Sequence, residues 1–417
     1  MHSPRLDRQL RIPHWRQEVL AHARLGVVGS GDYLTSLLLL STAALGINDV
    51  RVIAPELQEH LIGLARALNP EWHLRHFPGY YTHPLCQEAL SGCQLLVDVS
   101  GFALASKILL EQAFQRRLTV VRGWRWQTAA QQGLAIFTYH RGREWQDLQA
   151  VFPSRQLPDQ PATQDGVLDI IAAGIILEEV KTILMTSQSA TEVIAYRTPL
   201  WPPPDPQPDI GIVGAGALGN FVGLGLALAG FRRLTFIDPD VVEATNLNRQ
   251  IFFAGAVGAG KAQTLASRLQ AACGIQAQWW ADYFQPQAVE RFDLLFDCVD
   301  NFASRIAISE ACAAHKIPLI SGGADVSRGQ VVAFQPHRQP QTPAALLDMY
   351  TIQQRRGPEL RGQGRAACIY QPNPAVIMTN EVIGGFMVEA ARHLLAGRIW
   401  PPLWYDAAAR HKIDQAH

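Results

Sequence analysis

No two cysteines of this chain stand in a Cys-x-x-Cys pair, although six are present: Cys86, Cys93, Cys273, Cys298, Cys312 and Cys368. Their spacing argues against a zinc site. Charge is scarce as well. Asp, Glu, Lys and Arg make up 17% of the 417 residues, and 36 basic side chains balance 36 acidic ones. A chain this weakly charged, with no net sign, gives no electrostatic support for a nucleic-acid partner. Long unbroken apolar runs are missing too. The longest, near Leu34 to Ile47 and Val376 to Leu395, hold polar breaks and suit buried helices, so no membrane partner is expected. Arg5, Asp7 and Arg8 precede any apolar stretch, so no signal peptide is expected and the location reads as cytoplasmic. Apolar residues are plentiful at 48%, enough for large cores in two or three domains.

The richest stretch lies near the middle. Ile210-Gly-Ile-Val-Gly-Ala-Gly-Ala-Leu-Gly219 begins as a buried parallel strand and continues as a G-x-G-x-x-G turn. Gly214 allows a tight turn, Gly216 allows close approach of backbone to phosphate, and Gly219 lets the next helix pack on the strand. That helix is expected to run to about Ala229 and stop at Gly230, with its N-terminus facing an anion. A second strand, Leu234 to Ile237, leads to Asp238, about 20 residues past the loop, where a ribose hydroxyl is usually bound. The fingerprint alone does not separate NAD, FAD and ATP.

The next residues narrow the choice. Asp240 follows closely, and Asn246, Asn248, Arg249 and Gln250 crowd into five positions. Lys261 follows Gly258 and Gly260 at the expected start of a helix. Asp293 to Asn301 reads as a strand ending in acids, with Cys298 inside it and Arg305 just beyond. Hydride transfer needs no such cations beside its pyrophosphate. Attack on the α-phosphate of ATP does, together with a carboxylate such as Asp300 for Mg²⁺.

These residues resemble the ubiquitin-activating-enzyme family, with its ThiF-like adenylation fold, over about residues 209–335. The family includes the sulfur-carrier adenylyltransferases of thiamine and molybdopterin synthesis. The resemblance implies that Asp238 holds the ribose and that Asn246, Arg249, Gln250 and Lys261 contact ATP phosphates. It also implies that Asp300 ligates Mg²⁺ with Asn301 beside it. Gly214, Gly216, Gly219 and Asp240 complete the implied nucleotide site.

The first half reads as a degraded copy. Leu25-Gly-Val-Val-Gly-Ser-Gly-Asp-Tyr-Leu34 parallels the glycine loop, with Leu34 in place of Gly219 and Ala54 in place of Asp238. Asp98 matches Asp297, so Gly101 falls opposite Asp300. The segment corresponding to Asn246–Lys261 is largely lacking. The expectation is therefore an α/β chain of two tandem Rossmann-like, doubly wound adenylation-type domains forming an internal pseudo-dimer. Residues 1–197 would be the inactive copy, 198–208 a proline-rich linker, and 209–417 the active copy. Arg5-Leu-Asp-Arg-Gln9 resembles the family's R-Y-x-R-Q opening, with Leu6 for tyrosine. The resemblance implies that Arg8 crosses to the other copy's ATP site.

Cys368 follows Arg355, Arg356, Arg361 and Arg365 in a glycine-rich polar segment and precedes Gln371-Pro-Asn-Pro374. Nearby cations favour a thiolate. Its place resembles that of the catalytic cysteine of ubiquitin-activating enzymes, with Ile369 where threonine is usual. The implied activity joins adenylation of a ubiquitin-like protein's C-terminal glycine to thioester formation on Cys368 and passage to a conjugating enzyme. The tail after Gly397 reads as too brief for a recruiting ubiquitin-fold domain. The compact form resembles activating enzymes of bacterial ubiquitin-like systems, some linked to antiviral defence. Three alternatives stay open at this point. They are a sulfur-carrier or peptide-modifying adenylyltransferase without a thioester step, an NAD-dependent oxidoreductase, and a non-catalytic scaffold. Sulfur-carrier enzymes of the family usually carry two Cys-x-x-Cys pairs, which this chain lacks.

Overall fold

The computed structural model describes residues 3–139, 164–356 and 373–415. Two mixed sheets dominate it. One runs edge to edge through His73–Pro78, Asp49–Ala54, Arg24–Gly29, Leu95–Val99, Val120–Gln127, Gln131–Tyr139 and Ile194–Pro199. The other runs through Gln276–Trp280, Arg233–Ile237, Asp209–Val213, Leu294–Asp297, Leu319–Ala324, Arg328–Phe334, Leu403–Asp406 and Ile413–Gln415. In each sheet the first five strands of that order are parallel and the rest antiparallel. The chain is thus α/β, with two Rossmann-like domains.

The two halves repeat in register as well as in order. Val28 pairs with Asp98 and Val213 with Asp297. Leu25 pairs with Val50 and Ile210 with Leu234. Each sheet also carries a smaller apolar layer built from corresponding positions. Val28, Ile53, Leu96, Leu109 and Ala113 in the first match Val213, Ile237, Leu295, Ile308 and Cys312 in the second. The inner faces merge into a single core that spans both halves, from Leu20 to Ala407.

Two helices, Gly166–Thr186 and Ile377–Leu395, build the centre of that core. Both are apolar nearly all round, which suits burial on every side. They cross closely because glycines face the partner backbone. A Cβ on Gly174 would lie 2.8 Å from the carbonyl oxygen of Met378, and one on Gly385 would overlap Ile171. Buried polar ties cross the same seam. Glu389 accepts from Thr198 Oγ1 at 2.6 Å, and Arg392 Nη1 lies 2.7 Å from Glu389 and 3.0 Å from Asp165. Strand Ile194–Pro199 ends at the proline-rich stretch, with Thr198 buried and donating to Glu389. Among the described residues, no helix is long and apolar enough to cross a membrane.

Candidate active site

Strand Asp209–Val213 ends at Gly214, whose φ of +97° turns the chain toward helix Ala217–Leu228. A Cβ on Gly214 would meet the carbonyl oxygen of Cys298 at 2.8 Å, and one on Gly219 would overlap the carbonyl oxygen of Gly214. Gly216 differs. Nothing lies nearer to its would-be Cβ than Gln250 Nε2, at 3.9 Å. The space beside it is open. The helix N-terminus at Gly216 has no side-chain cap, so its amides are available to an anion. Asn220, buried within that helix, donates to the carbonyls of Ala215 and Gly216 and accepts from the Phe252 amide. It braces the turn, a role that the sequence pattern did not mark.

Asp238 follows strand Arg233–Ile237 and is buried. Its carboxylate accepts from the amides of Ala215 at 2.7 Å and Asp240 at 2.8 Å. Each oxygen keeps a second lone pair for a ribose hydroxyl. Burial pushes its pKa up, and the nearby charge of Lys261 opposes that rise. Lys261 opens helix Lys261–Cys273 and pairs with Asp240 at 2.8 Å. Gln250 is buried, and its Oε1 has no hydrogen-bond partner. That oxygen is an acceptor, so it suits a ligand hydroxyl or amide rather than a phosphate oxygen.

Arg249 donates to the carbonyl of Thr245 at 3.1 Å and to Asn248 Oδ1 at 2.9 Å. Burial, then the charge of Arg8, pushes its pKa down to about 10, while Asp300 and Glu243 oppose. Arg8, on the short N-terminal helix Asp7–Leu10, therefore lies within electrostatic reach of Arg249, as does Asp300. Asp300 is exposed. Among the described residues no cluster of three or more His, Cys, Asp or Glu could hold a metal. A lone carboxylate still fits Mg²⁺, which keeps waters and substrate phosphates as its other ligands.

Two expected ligands have structural work. Asn246 Oδ1 accepts from the Glu243 amide at 2.9 Å and closes a capping box. Asn301 is the N-cap of helix Phe302–His315, accepting from Ser304 N at 2.8 Å. Arg305 donates to the carbonyls of Val299 and Gly322, holding the loop that presents Asp300. Cys298 lies one residue beyond strand Leu294–Asp297 rather than inside it. Burial raises the pKa of Cys93, Cys273, Cys298 and Cys312, which keeps these thiols protonated. Cys368 lies outside the described residues.

The matching place in the first half is filled from within. Asp32 caps helix Tyr33–Leu45, accepting from Thr35 N at 3.0 Å and Thr35 Oγ1 at 2.8 Å. Its other oxygen pairs with Arg125 at 2.9 Å, and Arg125 also pairs with Asp169 at 3.2 Å. An internal carboxylate thus occupies the helix terminus that stays open in the second half.

A model of the ThiF family matches residues 207–414. The "Adenylyltransferase and sulfurtransferase MOCS3" of Bos taurus is 37% identical over 130 residues, covering 30% of this chain and 28% of that protein. The protein of the same name from Aedes aegypti is 35% identical over 130 residues, covering 30% of each. This chain therefore spans less than a third of the length of these curated relatives. Among solved structures, E. coli MccB with MccA-N7isoASN aligns at a TM-score of 0.41 and 16% identity. That alignment covers 50% of this chain and 64% of that one.

Proposed function

Residues 207–414 are a ThiF-family domain, and from that premise we propose that the protein activates the C-terminal glycine of a ubiquitin-like protein by ATP-dependent adenylation. The terminal carboxylate attacks the α-phosphorus of ATP, the bond to pyrophosphate breaks, and an acyl-adenylate forms. The glycine turn, Asp238 and Gln250 hold the nucleotide. Arg8, Arg249 and Lys261 stabilise charge that develops on the phosphates. Asp300 would hold Mg²⁺, whose chemistry is to neutralise and polarise phosphate oxygens. The thiolate of Cys368 then attacks the activated carbonyl, AMP leaves with the electron pair, and a thioester remains for transfer to a conjugating enzyme.

The observation that supports this reading is the open side of the glycine turn at Gly216, with buried Asp238 behind it; Arg8 and Asp300 also act electrostatically on Arg249. Hydride transfer would leave these groups without a task. Burial pushes the Cys298 and Cys312 thiols up, which disfavours either as the nucleophile. A second reading is a sulfur-carrier or peptide-modifying adenylyltransferase that stops at the adenylate. The similarity to proteins named adenylyltransferase and sulfurtransferase favours it.

One experiment separates the two. The protein is incubated with ATP, Mg²⁺ and the host's small-protein fraction, and its intact mass is recorded without reductant beside a pyrophosphate-exchange assay. A thiol-labile adduct that Cys368→Ala abolishes, with exchange retained, is the expected result. Exchange without any adduct selects the second reading. No exchange at all rejects both.

A further inference from the structure

We propose that Asn248 is a positioning residue that fixes Arg249 in the phosphate site and locks to it the two segments that hold Arg8. The proposal deepens the adenylation reading and rests on it for its catalytic meaning.

Asn248 is fully buried, and its amide is used in three directions at once. Oδ1 accepts from Arg249 Nη1 at 2.9 Å. Nδ2 donates to Gln9 Oε1 at 3.2 Å and to the carbonyl of Ala375 at 2.9 Å. Those partners belong to separate parts of the chain: the phosphate-site turn, the N-terminal arm and the entry to helix Ile377–Leu395. Each of the two outer parts has its own anchor. Gln9 Nε2 donates to Gln17 Oε1 at 2.5 Å and to the carbonyl of Leu45 at 2.9 Å, pinning the arm to the end of helix Tyr33–Leu45. Arg8 Nη1 donates to the carbonyl of Asn373 at 3.1 Å, and the Ala375 amide donates to the Arg8 carbonyl at 3.4 Å.

Arg8 and Arg249 repel each other, while Asp300 and Glu243 offset part of that repulsion at Arg249. Hydrogen bonds hold the two segments against that residual repulsion, and Asn248 bonds to both sides. Without it Arg249 keeps its bond to the Thr245 carbonyl, and the arm keeps its bonds to residues 373–375. The register between the two cations is then no longer fixed. Arg8 should therefore help bind phosphates only while Asn248 is intact.

Asn248→Asp isolates this role. An ionised carboxylate still accepts from Arg249 but has no hydrogen to give Gln9 or Ala375. Hydrogen exchange on the intact, nucleotide-free chain is the first measurement. Asn248→Asp and Asn248→Ala should each speed exchange about tenfold in residues 4–12 and 373–380. Unchanged exchange in Asn248→Asp overturns the joint, even if Asn248→Ala fails to fold. Calorimetry with Mg·ATP follows. Arg8→Ala should weaken binding about tenfold in the wild-type background and less than about twofold in the Asn248→Asp background. Equal losses in both backgrounds would overturn the positioning role, because a merely structural residue gives additive effects. A wild type that binds no Mg·ATP would defeat the adenylation reading instead, and the exchange data would still decide the joint.

Discussion

Alanine substitution at Gly216 and at Gly219, three residues apart in one turn, should have opposite consequences. At Gly216 φ is −73°, so alanine meets no left-handed strain, while ψ of −149° lies at the margin of the extended region, and the nearest atom to a new Cβ is 3.9 Å away. Folding stability should stay within about 1 kcal/mol of wild type. The methyl would project into the space that a phosphate must enter. A phosphate oxygen bonds a turn amide at about 2.7–3.1 Å, and a carbon in its path keeps it roughly half an ångström farther off. Losing one charge-assisted bond costs about 1.5–3 kcal/mol, or roughly 10- to 150-fold in Mg·ATP affinity. At Gly219 the new Cβ would overlap the Gly214 carbonyl oxygen, a backbone atom that cannot rotate aside. Overpacking there should cost about 1–3 kcal/mol of stability whether or not nucleotide is present. Thermal melting without nucleotide and calorimetry with Mg·ATP read the two effects separately. Wild-type affinity in Gly216→Ala would refute the phosphate-cradle argument, and a wild-type melting temperature in Gly219→Ala would refute the packing argument.

Two further tests address the scaffold. Burial pushes the pKa of Glu381, which accepts from Ser41 Oγ at 2.5 Å across the two halves, up to about 8 from 4.5. The folded state holds this proton more tightly than the unfolded chain. The stabilisation is therefore full below about pH 4.5 and is lost as pH rises through about 8, by up to about 1.4 kcal/mol per pH unit. Denaturant midpoints should fall across that range in wild type and flatten in Glu381→Gln, and parallel pH profiles would contradict the assignment. In the degenerate half, Asp32→Ala removes a helix cap and one partner of Arg125, for a loss of about 1–3 kcal/mol. It should create no second nucleotide site, because Ala54 and Gly101 supply no ribose or metal carboxylate. A calorimetric stoichiometry of two nucleotides per Asp32→Ala chain would show that Asp32 alone closes the first site.

The glycine turn was legible from spacing because its constraints are local. Gly214, Gly219 and Asp238 are fixed by a strand, a turn and a helix within thirty or so residues, and their sequence order dictates their geometry. The duplication was legible for a similar reason. Corresponding strands carry corresponding apolar positions, and the observed pairing of Val28 with Asp98 and Val213 with Asp297 repeats the alignment read from the chain. Asn246 and Asn301 were less transparent. A side-chain amide can bind a ligand, cap a helix or do both, and the capping hydrogen bonds through Oδ1 appear only in the folded chain.

By itself, then, the sequence determined an α/β chain of two related halves, with a glycine turn, a strand-end acid and a run of polar and basic residues in the second half. Tertiary structure alone decided which distant segments meet. Arg8 lies 365 residues from its partner Asn373, and Asn248 lies 239 residues from Gln9. No local pattern encodes such pairings. They follow from the crossing of helices Gly166–Thr186 and Ile377–Leu395, where glycines let two backbones approach and the apolar faces of both halves close into one core. The same packing set Asp32 against Arg125 and Asp169, because three segments had to converge before one carboxylate could fill the vacant helix terminus.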